Sequence, residues 1–379
     1  MPYEFRLPGV THFGWGAVQK AGEEAARLGR RAMLVTGRSS MKRTGVADRV
    51  TGLLAAAGVG VVLFDQIESD PSTKTIDRGA QIARREACDL LVGLGGGSPM
   101  DAARAIAAMA VLEGSTLDYL RGKPIDRPGL PLMNIATTSG TASEITAVAV
   151  LLDEERAIKM GMKSPFWYAK VAITDPELTM TMSPAVTAAT GMDALTHAIE
   201  SYLSTGATPP SEGLALRAIE LVGANLRQAF ADGSDRGARE GMALASMTAG
   251  MAFANSGLGL VHGLAHPIGA RYAVPHGEAC GRMLPHVMCY NEPNARDKLA
   301  RVGQALTSRP DATGDDAVEA VASLLHDLNV PSGLAGIDIP EDHLPALARD
   351  GLLAGAVKTN PRPVNEQEAL ELLQAATGR

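Results

Sequence analysis

Eight histidines occur in the chain, and four of them fall in two short stretches. Asp193-Ala194-Leu195-Thr196-His197 sets a carboxylate and an imidazole four residues apart. His262-Gly263-Leu264-Ala265-His266, followed by His276-Gly277, supplies three more rings. On a helix, positions i and i+4 differ by roughly 40° of rotation and about 6 Å of rise, so Asp193 and His197 point from one face toward one place. Imidazoles and a carboxylate converging from separate segments suit a divalent first-row metal. Fe(II) or Zn(II) fits this set better than a structural zinc cage, because no thiolate is assigned to it. Cys280, near the histidines in sequence, reads as a small buried core residue. The stretch from Gly257 to Gly281 is rich in small and apolar residues and carries three histidines. Burying several imidazoles costs free energy unless each finds a partner, which favours a common purpose over isolated core roles.

A second chemical feature lies in the first half. The apolar run Leu90 to Leu94 leads into Gly95-Gly96-Gly97-Ser98-Pro99-Met100-Asp101, and a helical pattern from Ala102 to Leu112 follows. Three glycines let the backbone approach a ligand closely, and N–H groups at a helix start bind a pyrophosphate. Ser98 is expected to cap that helix, Pro99 to sit in its first turn and Asp101 to complete a capping-box pattern. The loop departs from G-x-G-x-x-G, since Met100 stands where the last glycine belongs, and no ribose-binding acid is read about 20 residues downstream. A second polar loop, Ala136-Thr137-Thr138-Ser139-Gly140-Thr141-Ala142-Ser143-Glu144, offers hydroxyls and a turn glycine to a cofactor groove.

The elements that must position these residues divide in two. Strand patterns at Arg31–Thr36, Gly60–Phe64 and Asp89–Leu94 alternate with helical patterns at Gly45–Ala57 and Thr75–Ala87. This is the βαβ rhythm of a parallel, doubly wound sheet. Further strands are expected at Leu130–Ala136, Ala147–Leu152 and Val171–Thr174. After Pro176 the pattern turns helical, with Ala-rich stretches such as Pro210–Ala231 and Arg239–Ala254. The expected architecture is a Rossmann-like α/β domain with a parallel sheet over residues 1–180, followed by an all-α domain over 181–379 that holds the histidines.

At 46% hydrophobic and 20% charged residues, with 379 residues and a net charge of −7, the composition is that of a globular chain with two cores. No basic block points to nucleic acid, and no apolar run reaches the length of a membrane span. The N-terminus lacks a signal-peptide pattern. Three sparse cysteines, Cys88, Cys280 and Cys289, fit a reducing cytoplasm.

Five segments in order resemble the iron-containing (group III) alcohol dehydrogenase family. They are the Gly95–Asp101 loop, the Ala136–Glu144 loop, Gly191–Glu200, Gly259–Pro267 and Thr359-Asn360-Pro361-Arg362-Pro363. The resemblance implies Asp193, His197, His262 and His276 as metal ligands, Fe(II) foremost with Zn(II) as the alternative, and His266 as a histidine beside the substrate. It implies reversible hydride transfer between an alcohol and NAD(P)(H), with a homodimer as the minimal assembly. A proton-relay role falls to His266. The cofactor contacts expected are Gly37, Ser39, Ser40, Gly95, Gly96, Gly97, Ser98, Asp101, Thr137, Thr138, Thr141 and Lys159. In many NAD-preferring members an Asp follows the strand-end Thr, whereas here Gly37 follows Thr36, with Arg38, Lys42 and Arg43 beyond. A preference for NADP(H) over NAD(H) is therefore expected. Competing readings are a glycerol-dehydrogenase-like or dehydroquinate-synthase-like zinc enzyme, and a nucleotide-binding sensor without catalysis.

Overall fold

The computed structural model describes residues 2–156 and 158–378. The chain forms two compact units. One runs through Leu7–Thr138 and Ala142–Thr181; the other takes the chain from Met182 onward, together with Ser139–Thr141 and the N-terminal stretch through Arg6.

In the first unit six strands make a parallel sheet: β1 (Val10–Phe13), β2 (Arg31–Gly37), β3 (Gly60–Ile67), β4 (Leu90–Gly95), β5 (Leu132–Ala136) and, after a hairpin, β8 (Val171–Thr174), in the spatial order β1-β8-β5-β4-β2-β3. Helices α1 (Ala21–Leu28), α2 (Ser40–Arg43), α3 (Val46–Ala56), α4 (Thr73–Arg85), α5 (Gly97–Met109) and α6 (Thr116–Leu120) accompany it. Successive strand residues face opposite sides. Ala32, Leu34, Leu90 and Val92 join one core, and Met33, Val35 and Leu91 join another. Burial on both faces explains why β4 is apolar throughout rather than alternating.

Two strands lie outside those expected from the sequence. The four residues of β1 are too short to show a period, and they pair with β8 at the sheet edge. The segment β7 (Ile158–Lys163) alternates Lys and Met around Gly161 and forms a strand by pairing antiparallel with β6 (Val148–Asp153). Thus the strand expected at Ala147–Leu152 lies in a separate two-stranded ribbon, not in the parallel sheet.

The second unit is helical: α7 (Pro184–Leu203), α8 (Pro209–Ala231), α9 (Arg236–Ser256), α10 (Leu260–Tyr272), α11 (His276–Thr307), α12 (Gly314–Asp327), α13 (Leu344–Leu352) and α14 (Glu366–Ala376). The centre is α7, which is buried on every side from Gly191 to Leu203, as a helix without a polar face must be. Pro184 opens it, and the Ser183 hydroxyl caps it by accepting from the Val186 N–H. Between α9 and α10 the chain turns at Gly257, whose φ of +79° is a conformation that suits glycine. Among the described residues no single helix is long and apolar enough to cross a membrane.

Candidate metal centre

Three helices bring the histidines together. Asp193 and His197 stand one turn apart on α7, His262 sits in the first turn of α10, and His276 opens α11. The Nε2 atoms of His197, His262 and His276 each lie 3.8 Å from Asp193 Oδ1. Two ligands about 2.0–2.1 Å from one tetrahedral ion would be roughly 3.4 Å apart, so the observed spacing is that edge opened by a few tenths of an ångström. Asp193 and His262 are each only 2% exposed, and Asp193 Oδ1 and His262 Nε2 have no hydrogen-bond partner among the described residues. Buried polar atoms without partners are costly, and a cation at this point satisfies both.

The outer ring nitrogens are committed elsewhere, which turns the inner ones toward Asp193. His262 Nδ1 lies 2.6 Å from Glu200 Oε2, and the other Glu200 oxygen accepts from the Val261 N–H at 2.7 Å. His197 Nδ1 lies 3.3 Å from the Gly140 carbonyl, and its ring stacks on Phe253 at 4.3 Å. A carboxylate or carbonyl behind each imidazole fixes the tautomer and orients the lone pair. A Cβ on Gly277 would come within 2.1 Å of the Ala189 carbonyl, so only glycine lets α11 start close enough to α7 to deliver His276.

The electrostatics also favour a cation. Burial opposes charge on Asp193, yet the imidazoles of His197, His276 and His262 hold its carboxyl below the usual carboxylate range. Burial pushes His197 down to about 3. His262 and His276 are pushed up instead, because Cys280 and the carboxylates of Glu200 and Asp193 outweigh their burial. The opposite shifts show that these titrations are coupled through the shared Asp193 carboxylate.

His266 follows one turn after His262, half-buried, with its ring centroid 5.4 Å from that of His276. The Thr359-Asn360 motif acts as a clamp. Asn360 Oδ1 accepts from the Leu260 N–H at 3.1 Å, its Nδ2 donates to Asn291 and the Arg362 carbonyl, and the Thr359 hydroxyl donates to the Leu258 carbonyl. Asn360 and Glu200 together cap the helix that carries His262.

In the α/β unit, strand order reverses between β2 and β4, and ligands of such sheets bind where the carboxyl ends of the strands diverge. Gly37 ends β2, and Gly95 ends β4 with φ +144°. The helix α5 begins at Gly97 with Gly96 as N-cap, two residues before the start that a Ser98 cap would give it, and the cap position makes no side-chain bond. The first-turn N–H groups, Gly97 and Ser98 among them, have no partner within the helix. Thr137 N–H donates to the Gly95 carbonyl at 2.9 Å, and Thr138 borders Gly96 with a buried Oγ1 that has no hydrogen-bond partner among the described residues.

Two expectations about the capping of this loop are corrected. Ser98 does not cap α5; its hydroxyl donates to the Ser69 carbonyl. Asp101 forms no capping box. It is buried with Arg104 at 2.8 Å, and it accepts from the Ser143 hydroxyl and the Val150 N–H, so its carboxylate is consumed internally. Lys159 is held by Asp70 at 2.7 Å. Ser39 and Ser40 are exposed at the start of α2, and Thr141 belongs with the helical unit.

Sequence comparison decides the family. Iron-containing alcohol dehydrogenase matches residues 8–176, and the Fe-containing alcohol dehydrogenase family C-terminal domain matches residues 187–377. The chain belongs to the iron-containing alcohol dehydrogenase family. It is 38% identical to a 1,3-propanediol dehydrogenase of Citrobacter freundii, over 99% of this chain and 98% of that one. It is 34% identical to an NAD-dependent methanol dehydrogenase of Bacillus methanolicus, over 98% and 99%. A crystal structure of a 1,3-propanediol oxidoreductase superposes with a TM-score of 0.95 at 38% identity, covering 99% of this chain and 100% of that one. As a member of this family the chain is an alcohol dehydrogenase acting on CH–OH with a nicotinamide cofactor, which disfavours the dehydroquinate-synthase-like and sensor readings.

Sequence reasoning missed Glu200, although it lies seven residues after Asp193 on the same helical face. Cys280, read as a small buried core residue, is buried as expected and stands four residues after His276 on α11.

Proposed function

We propose that Asp193, His197, His262 and His276 hold the catalytic metal, iron foremost, and that the enzyme interconverts a small primary alcohol or diol with its aldehyde. The observation that carries this reading is the set of three imidazole nitrogens, each 3.8 Å from a buried Asp193 oxygen that lacks a hydrogen-bond partner. The names of the relatives, which include 1,3-propanediol and methanol dehydrogenases, support the substrate class. When bound, the metal supplies Lewis acidity toward the alcohol oxygen. In the oxidative direction the carbinol carbon gives hydride to NAD(P)+, and the hydroxyl proton leaves to solvent. His266 relays that proton, a role supported by its half-buried place beside His276. Glu200 and the Gly140 carbonyl orient His262 and His197. Asp193→Ala tests the site: metal content of the purified variant should fall to near zero, and alcohol oxidation with it. Stoichiometric metal in that variant would sink the assignment.

The cofactor favoured is NADP(H). Around Gly37 an added Cβ would meet nothing nearer than the Ile67 carbonyl at 3.8 Å, so the place of a ribose-reading carboxylate is open. Arg38 is exposed and only loosely paired, 3.9 Å from Glu68, which leaves a guanidinium for a 2′-phosphate. Lys42 is committed to Asp65 and adds little. Gly37→Asp should move kcat/KM toward NAD(H) by tenfold or more through repulsion of the phosphate. A wild type that strongly prefers NAD(H), unchanged by the substitution, would show that the 2′ position is not read here.

A further inference from the structure

The donor atoms that lie within 4.8 Å of one another in the helical unit come from Asp193, His262, His276 and Cys280. Cys280 is fully buried on α11, one turn after His276, and its Sγ lies 3.7 Å from His276 Nε2. Nitrogen at about 2.0–2.1 Å and sulfur at about 2.3 Å from one ion stand roughly 3.1 Å apart at a right angle and roughly 3.8 Å apart at 120°, the angles of a five-donor site. The sulfur therefore sits at ligand spacing, beside two buried atoms, Asp193 Oδ1 and His262 Nε2, that have no hydrogen-bond partner among the described residues. We infer that Cys280 is itself a ligand, making the centre a mixed nitrogen, oxygen and sulfur site with a bias toward thiophilic ions. This rests on the metal reading above and adds to it a donor that sets metal choice.

Coordination by sulfur releases the thiol proton to solvent as the metal enters. Thiolate ligands favour Zn(II) over Fe(II) more strongly than imidazole and carboxylate alone. The wild-type site should therefore discriminate between these ions more sharply than the same site without Cys280. The bias concerns affinity, while occupancy in a cell also follows supply.

The test uses full-length protein stripped with a chelator under argon and reloaded with Co(II). The wild type should show d–d bands together with a sulfur-to-cobalt charge-transfer band in the near ultraviolet. Cys280→Ser and Cys280→Ala should keep the d–d bands and lose the charge-transfer band, which assigns it to this sulfur rather than to Cys88 or Cys289. In anaerobic dialysis against equal Zn(II) and Fe(II), the bound Zn:Fe ratio should fall at least tenfold in Cys280→Ser. Cobalt d–d bands in the wild type without charge transfer would overturn the proposal and leave the four-ligand reading standing, as would an unchanged Zn:Fe ratio. No cobalt uptake by the wild type, or equal uptake by Asp193→Ala, would overturn both.

Discussion

A carboxylate that is 2% exposed, ringed by imidazoles and short of a hydrogen bond is an expensive arrangement for a fold to keep. Stranding one buried charge costs several kcal/mol, on the order of 3–5 when a partner is removed. A cation beside Asp193, as proposed above, would offset that cost. His266 differs in kind: it shares the face of His262 on α10 but is half-buried and turned toward the ring of His276. His266→Asn should therefore lower kcat by roughly ten- to a thousandfold, as loss of a proton-transfer group does, and change the pH profile of turnover while metal content stays stoichiometric. Metal lost in proportion to activity would make His266 a ligand instead. The i, i+4 pair Asp193 and His197 was legible because helical spacing is local. Glu200 was not, because its role depends on the Val261 N–H and the His262 ring, which arrive from another helix. Cys280 was legible only as a buried cysteine: it stands at the same i, i+4 spacing from His276, but α11 opens at His276 without a side-chain cap to mark its start.

Among the elements, α10 has the most to lose. Its first two N–H groups are satisfied by side chains distant in sequence, Leu260 by Asn360 and Val261 by Glu200. Asn360→Ala removes one of these caps and strands Asn291, whose Oδ1 accepts from Asn360. Stability should fall by about 2 kcal/mol, the scale of a lost cap plus an unpaired buried group. Because α10 presents His262, metal affinity should fall about tenfold as well, as it does when outer groups that orient a ligand are removed. Denaturant unfolding and metal titration of the variant check the two together; destabilisation with unchanged affinity would reduce Asn360 to a structural clamp. At this scale the sheet strands and long helices could be read from run length and composition, because β4, buried on both faces, is a short apolar run and α7, buried on every side from Gly191, is a long one. The start of α5 lies two residues before the one a Ser98 cap would give. The helix there is opened by the backbone of Gly96 rather than by a polar side chain, so Ser98 and Asp101 look like caps while bonding to Ser69 and Arg104. The ribbon of β6 and β7 could not be seen as separate from the sheet, because its partnership is non-local: the alternation of Ile158, Met160 and Met162 with Lys159 and Lys163 marks a strand but not which strand it pairs with.

For the molecule as a whole, stability against pH carries contributions of opposite sign, and one buried acid can be isolated among them. Glu144 is 2% exposed; Thr174 donates to its Oε1 at 3.0 Å, and its Oε2 has no hydrogen-bond partner among the described residues. Burial pushes its carboxyl up to about 7 from an ordinary 4.5. The folded state then holds a proton that the unfolded chain releases, so this contribution is complete below pH 4.5 and is lost as pH rises toward 7. At 1.36 kcal/mol per pKa unit the loss amounts to about 3 kcal/mol. Other groups act in the opposite direction. Burial pushes His286 down, so its contribution is lost as pH falls below its ordinary 6.5, and Arg121 holds Asp153 below the carboxylate range, so that contribution is lost only in stronger acid. The difference between the wild type and Glu144→Gln cancels these shared terms. The amide keeps an oxygen for Thr174 and carries no charge at any pH. The two proteins should be equally stable near pH 4.5, and the variant should be more stable by about 3 kcal/mol at pH 8. Both tryptophans, Trp15 and Trp167, lie in the same unit as Glu144, so their fluorescence in urea titrations follows the unit in question. A stability difference that stays flat from pH 4.5 to 8 would mean that Glu144 ionises in the folded protein as freely as in the unfolded chain.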